Sequence, residues 1–450
     1  MDGVHLRRTD VHRRRNEAVA FGEGQTVRIG LLGLGTVGTG VVRILTQHAE
    51  ELRERTGVRF EITRILVQDP AKERPVKVPT ARYTVRGEEV VLADDVDVVV
   101  EVMGGIEPTR ALIEAALRAR KPVITANKDL LALHGLGLHA LAEENGVDLF
   151  YEASVGGGIP LLRTVIEGFA SDRITHAYGI VNGTTNYILS KMDREGVDFA
   201  EALREAQDHG YAEADPTKDV DGLDAAYKMV ILSRLTFHAP VRLADVQVAG
   251  IRSVTREDLL RARDFGYTVK LIGWAARKDG RIEIGVAPTW VKRDHPLAHV
   301  HGPFNAVYVH GEAVGETMFY GRGAGDLPTA MAVVSDLVAA VKNALLGVSG
   351  RGHIRLRQSV EVVPPEEAFV FPYAFRLTTD DVPGVLSELT AVVARHGLSI
   401  SRMLQIPNTH TAEITFLTHR TPLAAVEKVR EEFATLPFVR AVHTLFRVLS

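Results

Sequence analysis

Lys228 and Asp224 stand four residues apart, the spacing that places two side chains on one face of a helix. The stretch before them, Gly210-Tyr211-Ala212-Glu213-Ala214-Asp215-Pro216 followed by Asp219 and Asp221-Gly222, gathers four carboxylates into one loop. Carboxylates of this kind can hold an ammonium while a lysine reaches a carbonyl oxygen, an arrangement suited to a small zwitterion. The competing reading is a solvated acidic loop with an ordinary surface ion pair, worth only about a few tenths of a kcal/mol. Composition alone favours that blander reading.

A second cluster opens the chain. Gly33-Leu34-Gly35-Thr36-Val37-Gly38 follows the apolar run Val27–Leu32 directly and precedes an amphipathic segment. In that setting Gly33 permits a tight turn, Gly35 lets a pyrophosphate approach the backbone, and Gly38 allows close helix–strand packing. The phosphates then meet a helix N-terminus, where Thr36 and Val37 lie. A turn that merely needs glycine is the alternative. The end of the second strand should distinguish NAD from NADP, because a carboxylate accepts from the ribose hydroxyl and an arginine receives a 2′-phosphate. Here the chain offers Gln68-Asp69-Pro70, then Lys72 and Arg74. Asp69 suits NAD and the two cations suit NADP; the balance leans to NADP.

These residues need a scaffold, and the totals bound it. At 450 residues the chain should hold two or three domains. Its 46% hydrophobic and 24% charged content is that of a globular protein with a sizeable core. A net charge of −4 gives no global field for nucleic acid. With no cysteine, disulfides, thiolate zinc sites and a catalytic thiol are excluded, and a cytoplasmic location is expected. Glu101 interrupts the longest valine-rich stretch, so no membrane span is expected. Residues 1–25 carry Arg7, Arg8 and Arg13-Arg14-Arg15 between Asp2 and Asp10 and beyond, and read as a disordered basic tail rather than a nucleic-acid arm.

Strand and helix then alternate. A helix is expected from about Val37 to Arg55, strands at Phe60–Val67, Asp97–Met103 and Pro122–Thr125, and a helix at Thr109–Arg120. Such alternation predicts an α/β fold with a parallel, doubly wound Rossmann-type sheet over residues 26–150. Glu152–Pro160 (EASVGGGIP) is a glycine-rich loop expected to open a helix, and residues 151–320 read as an α+β domain with a strand at Ile282–Val286. The loop Gly321-Arg322-Gly323-Ala324-Gly325 leads to an alanine- and valine-rich helix, and residues 321–346 are expected to return to the Rossmann domain. Residues 347–368 read as a linker, and 369–450 as a compact βαββαβ module with helices Val385–His396 and Pro422–Thr435.

Thr125-Ala126-Asn127-Lys128, Glu152–Pro160, the run Gly179-Ile180-Val181-Asn182-Gly183-Thr184-Thr185-Asn186-Tyr187-Ile188-Leu189 and the Gly210–Lys228 segment occur together and in this order. They resemble the homoserine dehydrogenase family, in its monofunctional form, from about Val27 onward. The C-terminal module, with Asp381-Val382-Pro383-Gly384-Val385-Leu386, resembles an ACT domain. The resemblance implies NAD(P)H-dependent reduction of L-aspartate 4-semialdehyde to L-homoserine, in the biosynthesis of threonine, methionine and isoleucine. It implies Lys228 as general acid and Asp224 as a catalytic, positioning carboxylate. Glu213 and Asp219 would bind substrate, and Lys128 would lie near the reacting oxygen and the nicotinamide. Hydride attack makes an alkoxide, which needs a proton or a cation beside it.

Gly183, Gly323 and Gly325 match cofactor-contacting backbone, although glycines at turns are the plainer reading. Glu152, Val155, Gly157 and Ile159 match a site for a monovalent cation, Na+ or K+, mostly through backbone carbonyls. The ACT resemblance implies L-threonine as an allosteric ligand near the Asp381–Val385 turn, and the family implies a homodimer or homotetramer. Two other readings stay open at this point: a different NAD(P)-dependent dehydrogenase on the same scaffold, and a catalytically silent amino-acid-sensing regulator.

Overall fold

The computed structural model describes residues 24–350, 360–364 and 370–449. The expected basic tail, but for its last two residues, and most of the expected linker lie outside them. The described residues fall into two compact units, one drawn from Met1–Gly168 and Arg322–Leu356, the other from Phe169–Gly321 and Arg357–Ser450.

The first unit is built on six strands: β1 (Thr26–Leu32), β2 (Arg59–Leu66), β3 (Arg82–Thr84), β4 (Val98–Glu101), β5 (Val123–Thr125) and β6 (Leu149–Phe150). Their order is β3-β2-β1-β4-β5-β6, and every pairing is parallel. The chain leaves β1 toward one edge and returns at β4 to build the other half. The C-terminal ends of β1 and β4 therefore flank the topological switch point, where open α/β sheets bind ligands. β1 and β4 are buried on both faces, which is why both read as continuous apolar runs rather than alternating ones.

The helix Thr36–Gln47 packs Val41, Val42 and Leu45 into this core, together with Ala330, Val333, Leu337 and Val341 of the helix Asp326–Leu345. A Cβ on Gly40 would sit 2.8 Å from both the Ala330 methyl and the Asp326 carbonyl oxygen, so glycine there sets how closely the two helices approach. The single helix expected from Val37 to Arg55 is instead two. The backbone leaves helical geometry at His48, and Ala49–Thr56 forms a second helix. That second segment carries its own end charges, Glu50 and Glu51 in the first turn and Arg53 and Arg55 in the last, which favour a separate dipole.

The second unit is organised by a ten-stranded sheet. Its strands are β7 (Ile174–Ile180), β8 (Gln247–Val248), β9 (Tyr267–Lys278), β10 (Arg281–Lys292), β11 (Phe304–Gly311), β12 (Gly315–Arg322), β14 (Tyr373–Asp380), β15 (Ile400–Pro407), β16 (Thr411–Thr418) and β18 (Val439–Leu449). A separate ribbon pairs β13 (Val370–Phe371) with β17 (Thr421–Pro422). The order is β12-β11-β7-β9-β10-β18-β14-β16-β15, with β8 beside β10. The last four strands, with the helices Val385–Arg395 and Leu423–Thr435, are the βαββαβ module, antiparallel throughout.

That module was expected to stand apart, yet its sheet continues into β10. β18 continues for three residues beyond Phe446. Those residues, Arg447, Val448 and Leu449, pair in parallel with Thr289, Trp290 and Val291. Arg376 of β14 strengthens the join. It is 4% exposed and its guanidinium donates to Asp258 (3.0 Å), Glu413 (2.9 Å) and the Thr255 hydroxyl (3.1 Å). No helix among the described residues is long and apolar enough to cross a membrane.

Candidate active site

In the first unit the glycine loop has the geometry its sequence suggests. Gly33 has φ +101°, and a Cβ there would lie 2.8 Å from the Met103 backbone. On Gly38 a Cβ would meet the Gly33 carbonyl oxygen at 2.3 Å, so the helix can start this close to β1 only with glycine. Gly35 differs: a Cβ there meets nothing within 4 Å. Packing therefore does not account for Gly35, and the space beside it is open. Thr36 and Val37 follow at the helix start, which has no side-chain cap, so its first N–H groups are available to an anion.

The loop after β2 carries Asp69, Lys72 and Arg74, the residues expected to distinguish NAD from NADP. Arg74 donates to the carbonyls of Lys72 (2.8 Å) and Asp69 (2.7 Å), which folds its guanidinium back onto the end of the strand. The Asp69 carboxylate accepts from the Ala71 N–H at 2.8 Å and so stabilises its own turn.

Glu101, at the end of β4, is a residue that sequence reasoning treated only as a break in an apolar run. It is fully buried, and burial pushes its pKa up. Its carboxylate accepts from the Met103 and Gly104 N–H groups (2.8 and 2.9 Å) and from the Thr125 hydroxyl. Thr125 in turn accepts from the Asn127 N–H, and Asn127 caps the helix Lys128–Asn145 through Leu130 while donating to the Gly105 carbonyl at 2.7 Å. The chain of bonds fixes Lys128 at the helix start, with its side chain about one-third exposed and its ammonium 3.9 Å from Asp129.

Glu152 lies in a short 3₁₀ turn. The expected helix after Glu152–Pro160 is only a short one that ends in the π-helical turn Thr164–Gly168. The Glu152 carboxylate accepts from the Leu162 and Arg163 N–H groups at 2.8 Å each, and its own N–H donates to Asp336. Burial raises the pKa of Glu152; it also raises that of Asp336, to about 7, although Arg163 is ion-paired to Asp336 and opposes that shift. The guanidinium of Arg163 pairs with Asp336, while Glu152 is held by backbone N–H groups. Val155 and Gly157 are buried and their carbonyls accept no hydrogen bond from any described residue, while the Ile159 carbonyl accepts from Leu161. Buried oxygens of this kind beside a carboxylate fit a hard cation. No group of three or more acidic or histidine side chains suited to a metal occurs among the described residues.

In the second unit the helix Leu223–Phe237 is buried on nearly every face, and this decides the fate of Asp224 and Lys228. They are 6% and 8% exposed. The pair is therefore no surface ion pair. Lys228 Nζ donates to Asp224 Oδ2 at 2.7 Å and to the Val181 carbonyl at 2.8 Å. An ammonium has three N–H groups; the third has no partner among the described residues.

Asn182 completes the network. As N-cap of the helix Gly183–Glu195 its Oδ1 accepts from the Thr185 N–H at 2.8 Å, so its Nδ2 must face the other way. There it donates to Asp219 (2.7 Å) and Asp224 (2.8 Å). A helix cap thereby sets the positions of two carboxylates. Glu213 stands outside this network: it is exposed, and only its backbone carbonyl is held, by Gln207. Asp221 is turned away to Arg252.

Gly183 has a packing reason of its own, since a Cβ would meet the Pro303 carbonyl at 2.8 Å. Gly325, at φ +135°, ends the glycine loop at the start of its helix, and the Gly323 carbonyl would be 2.4 Å from a Cβ on Gly157. Asn182 and Glu101 were within reach of sequence reasoning only in part. Asn182 sits in a motif, but nothing local says that its amide spans two carboxylates 37 and 42 residues away.

Comparison with known proteins agrees with this arrangement. Residues 33–152 match the family described as homoserine dehydrogenase, NAD binding domain; residues 160–338 match homoserine dehydrogenase; residues 373–438 match the ACT domain. A homoserine dehydrogenase of Bacillus subtilis is 48% identical over 427 residues, 94% of this chain and 98% of that protein. The crystal structure of a homoserine dehydrogenase from Thiobacillus denitrificans superposes with a TM-score of 0.91 at 38% identity, covering 95% of this chain and all of that one. A hyperthermophilic archaeal homoserine dehydrogenase mutant, solved in complex with NADPH, is 28% identical with a TM-score of 0.60, over 70% of this chain and 97% of its own. The two-part family match across nearly the whole chain, joined to a dinucleotide-type loop and a buried lysine–carboxylate network, shows that the chain is an oxidoreductase and belongs to the homoserine dehydrogenase family.

Proposed function

We propose that the enzyme reduces L-aspartate 4-semialdehyde to L-homoserine with NADPH, Lys228 protonating the developing alkoxide. The observation that carries this reading is the buried Asp224–Lys228 pair with one ammonium N–H uncommitted. Asp224 and the Val181 carbonyl hold the ammonium in place, and Asn182 holds Asp224, so the proton donor is positioned before substrate arrives. Asp219 and Glu213 bind the substrate ammonium. Lys128, at the start of its helix, lies near the reacting oxygen and the nicotinamide.

NADPH contacts Gly33, Gly35, Thr36, Val37 and Gly38, with Gly183, Gly323 and Gly325 supplying further backbone. The preference for NADPH over NADH rests on Arg74 and Lys72 at the end of β2 and is supported by the archaeal relative's NADPH complex. Glu152 with the carbonyls of Val155, Gly157 and Ile159 holds a Na+ or K+ ion. When bound, the ion neutralises buried carboxylate charge. The remaining parts of the reading are functional domains at 26–150, 151–320 with 321–346 returning to the first, and 369–450. They extend to inhibition by L-threonine near the Asp381–Val385 turn, a homodimer or homotetramer, and a cytoplasmic enzyme.

The test is Lys228→Ala assayed for NADPH oxidation with aspartate semialdehyde and for NADPH binding by fluorescence. Turnover should vanish while binding survives. Loss of cofactor binding, or turnover near that of the wild type, would refute the assignment.

A further inference from the structure

Lys270 of β9 is 1% exposed, and no step of the proposed reaction uses it. An ammonium taken out of water is costly unless a charge partner compensates it. No carboxylate among the described residues pairs with this one. Its Nζ donates instead to the side-chain carbonyl of Asn186 at 3.1 Å and to the backbone carbonyl of Val300. Burial lowers its pKa to about 8; Asp193, on the same helix as Asn186, opposes that shift, and Arg194 adds to it. Asp193 is itself committed to Arg263 at 2.9 Å. His301, in the facing turn, is pushed down to about 4 by burial and then by Lys270, so it is neutral. At neutral pH Lys270 is thus a buried cation met by two uncharged oxygens.

That cation settles which way an amide points. An asparagine offers an acceptor on one side and donors on the other, and an ammonium can only donate. With Nζ at Oδ1, the Asn186 Nδ2 must face away from Lys270. There it lies 2.9 Å from the Gly302 carbonyl, 3.2 Å from that of Val300 and 3.3 Å from that of Phe304. Three carbonyls of one turn converge on one amide. The same turn is packed against Gly183 through the Pro303 carbonyl. Asn186 N–H donates to the Asn182 carbonyl at 3.3 Å and so joins the two asparagines across the first turn of the helix Gly183–Glu195. From that turn Asn182 holds Asp219 and Asp224, and the Thr184 hydroxyl donates to the Tyr211 carbonyl at 2.6 Å, two residues before Glu213. Lys270 therefore supports the short stretch of helix to which the acidic segments of the site are tied.

We propose that Lys270 is a positioning residue for the reduction. By fixing the Asn186 amide it holds the 300–304 turn against Gly183 and keeps Asn182 where it sets Asp224 and, through Asp224, Lys228. The role rests on the dehydrogenase reading only for its kinetic readout. A core lysine that merely stabilised the fold would make turnover follow stability; a positioning lysine makes turnover follow the donor at Asn186.

Steady-state NADPH oxidation with aspartate semialdehyde, and urea unfolding, would be measured on the full chain carrying Lys270→Met, Lys270→Arg, Asn186→Leu, or Lys270→Met with Asn186→Leu. Lys270→Met keeps the length of the stem and removes a buried charge, so its unfolding midpoint should stay near that of the wild type. Its kcat should nevertheless fall by about tenfold or more, the effect of losing a charge-assisted hydrogen bond. Lys270→Arg keeps the donor but overpacks the core, so it should unfold more readily than Lys270→Met and yet turn over faster. The double variant should be within about twofold of the slower single, because both substitutions remove one contact. A Lys270→Met enzyme with kcat within about twofold of wild type overturns the proposal. So do a Lys270→Met chain that does not fold, turnover that ranks the variants by their stability, and single losses that multiply in the double. Should Lys270→Arg not fold, the cycle of Lys270→Met and Asn186→Leu decides alone. Failure of the dehydrogenase reading would show separately, as no turnover by the wild type.

Discussion

Gly35→Ala separates a cofactor role from a merely structural one at the glycine loop. In the free enzyme the substitution should be harmless: the new Cβ meets nothing within 4 Å, and the backbone φ of −88° is open to alanine. Restricting the unfolded chain should even add about 0.4–1 kcal/mol of stability. In the complex the same methyl occupies the space above the uncapped start of the helix Thr36–Gln47, where a pyrophosphate would accept from backbone N–H groups. Displacing it forfeits at least one hydrogen bond to a charged group, about 1.5–3 kcal/mol. Binding should therefore weaken by about 10- to 150-fold. NADPH fluorescence titration reads the affinity, and thermal unfolding reads the stability. Gly38→Ala is the control with the opposite signature, since its Cβ would lie 2.3 Å from the Gly33 oxygen and overpacking costs about 1–3 kcal/mol of stability. A Gly35→Ala enzyme that binds NADPH within twofold of wild type, or that unfolds as readily as Gly38→Ala, would refute the reasoning.

Arg74→Ala should weaken NADPH binding by about tenfold or more and leave NADH binding within about twofold; comparable losses for both would remove Arg74 from 2′-phosphate recognition. Asp336 has its folded pKa raised by burial from 3.8 to about 7. Between those values the folded state holds the extra proton, so stability should fall as pH rises through about 4 to 7. Unfolding temperatures measured across that range in a buffer free of Na+ and K+ should show the decline, and Asp336→Asn should flatten it; an unchanged slope in the variant would count against the raised pKa of Asp336. Arg376→Leu leaves Asp258, 1% exposed, without its cation, and should destabilise the second unit by about 3–5 kcal/mol in urea denaturation. A loss below about 1 kcal/mol would show that Asp258 is satisfied by Thr255 alone.

Much of this was legible one residue at a time. Gly33 and Gly38 announce their roles because each is a local backbone requirement between a strand and a helix that are adjacent in sequence. The Asp224–Lys228 contact follows from helical spacing, and β1, β2, β4, β5 and the start of β10 follow from apolar runs and alternation. The break at His48 was not legible, since the apolar pattern on both sides of it continues. The merging of the C-terminal module into β10 was not legible either. It depends on three residues after Phe446 finding a partner strand about 150 positions earlier, and nothing in a strand's own sequence names its neighbour.

The sequence by itself determined the kinds of group present and their local geometry: a glycine turn between a strand and a helix, a lysine one turn from a carboxylate, a carboxylate beside a glycine-rich loop. Tertiary structure decided their environment, and environment decides chemistry. Burial of the helix Leu223–Phe237 turns an ion pair of little consequence into a fixed, desolvated one. Asn182 draws Asp219 and Asp224 together across 37 and 42 residues of chain. Glu101 becomes the anchor of the loop beside Gly33 only because β4 lies next to β1. Desolvation and long-range hydrogen bonds are properties of the packed chain, since both depend on which distant residues exclude water from a group and which offer it a partner.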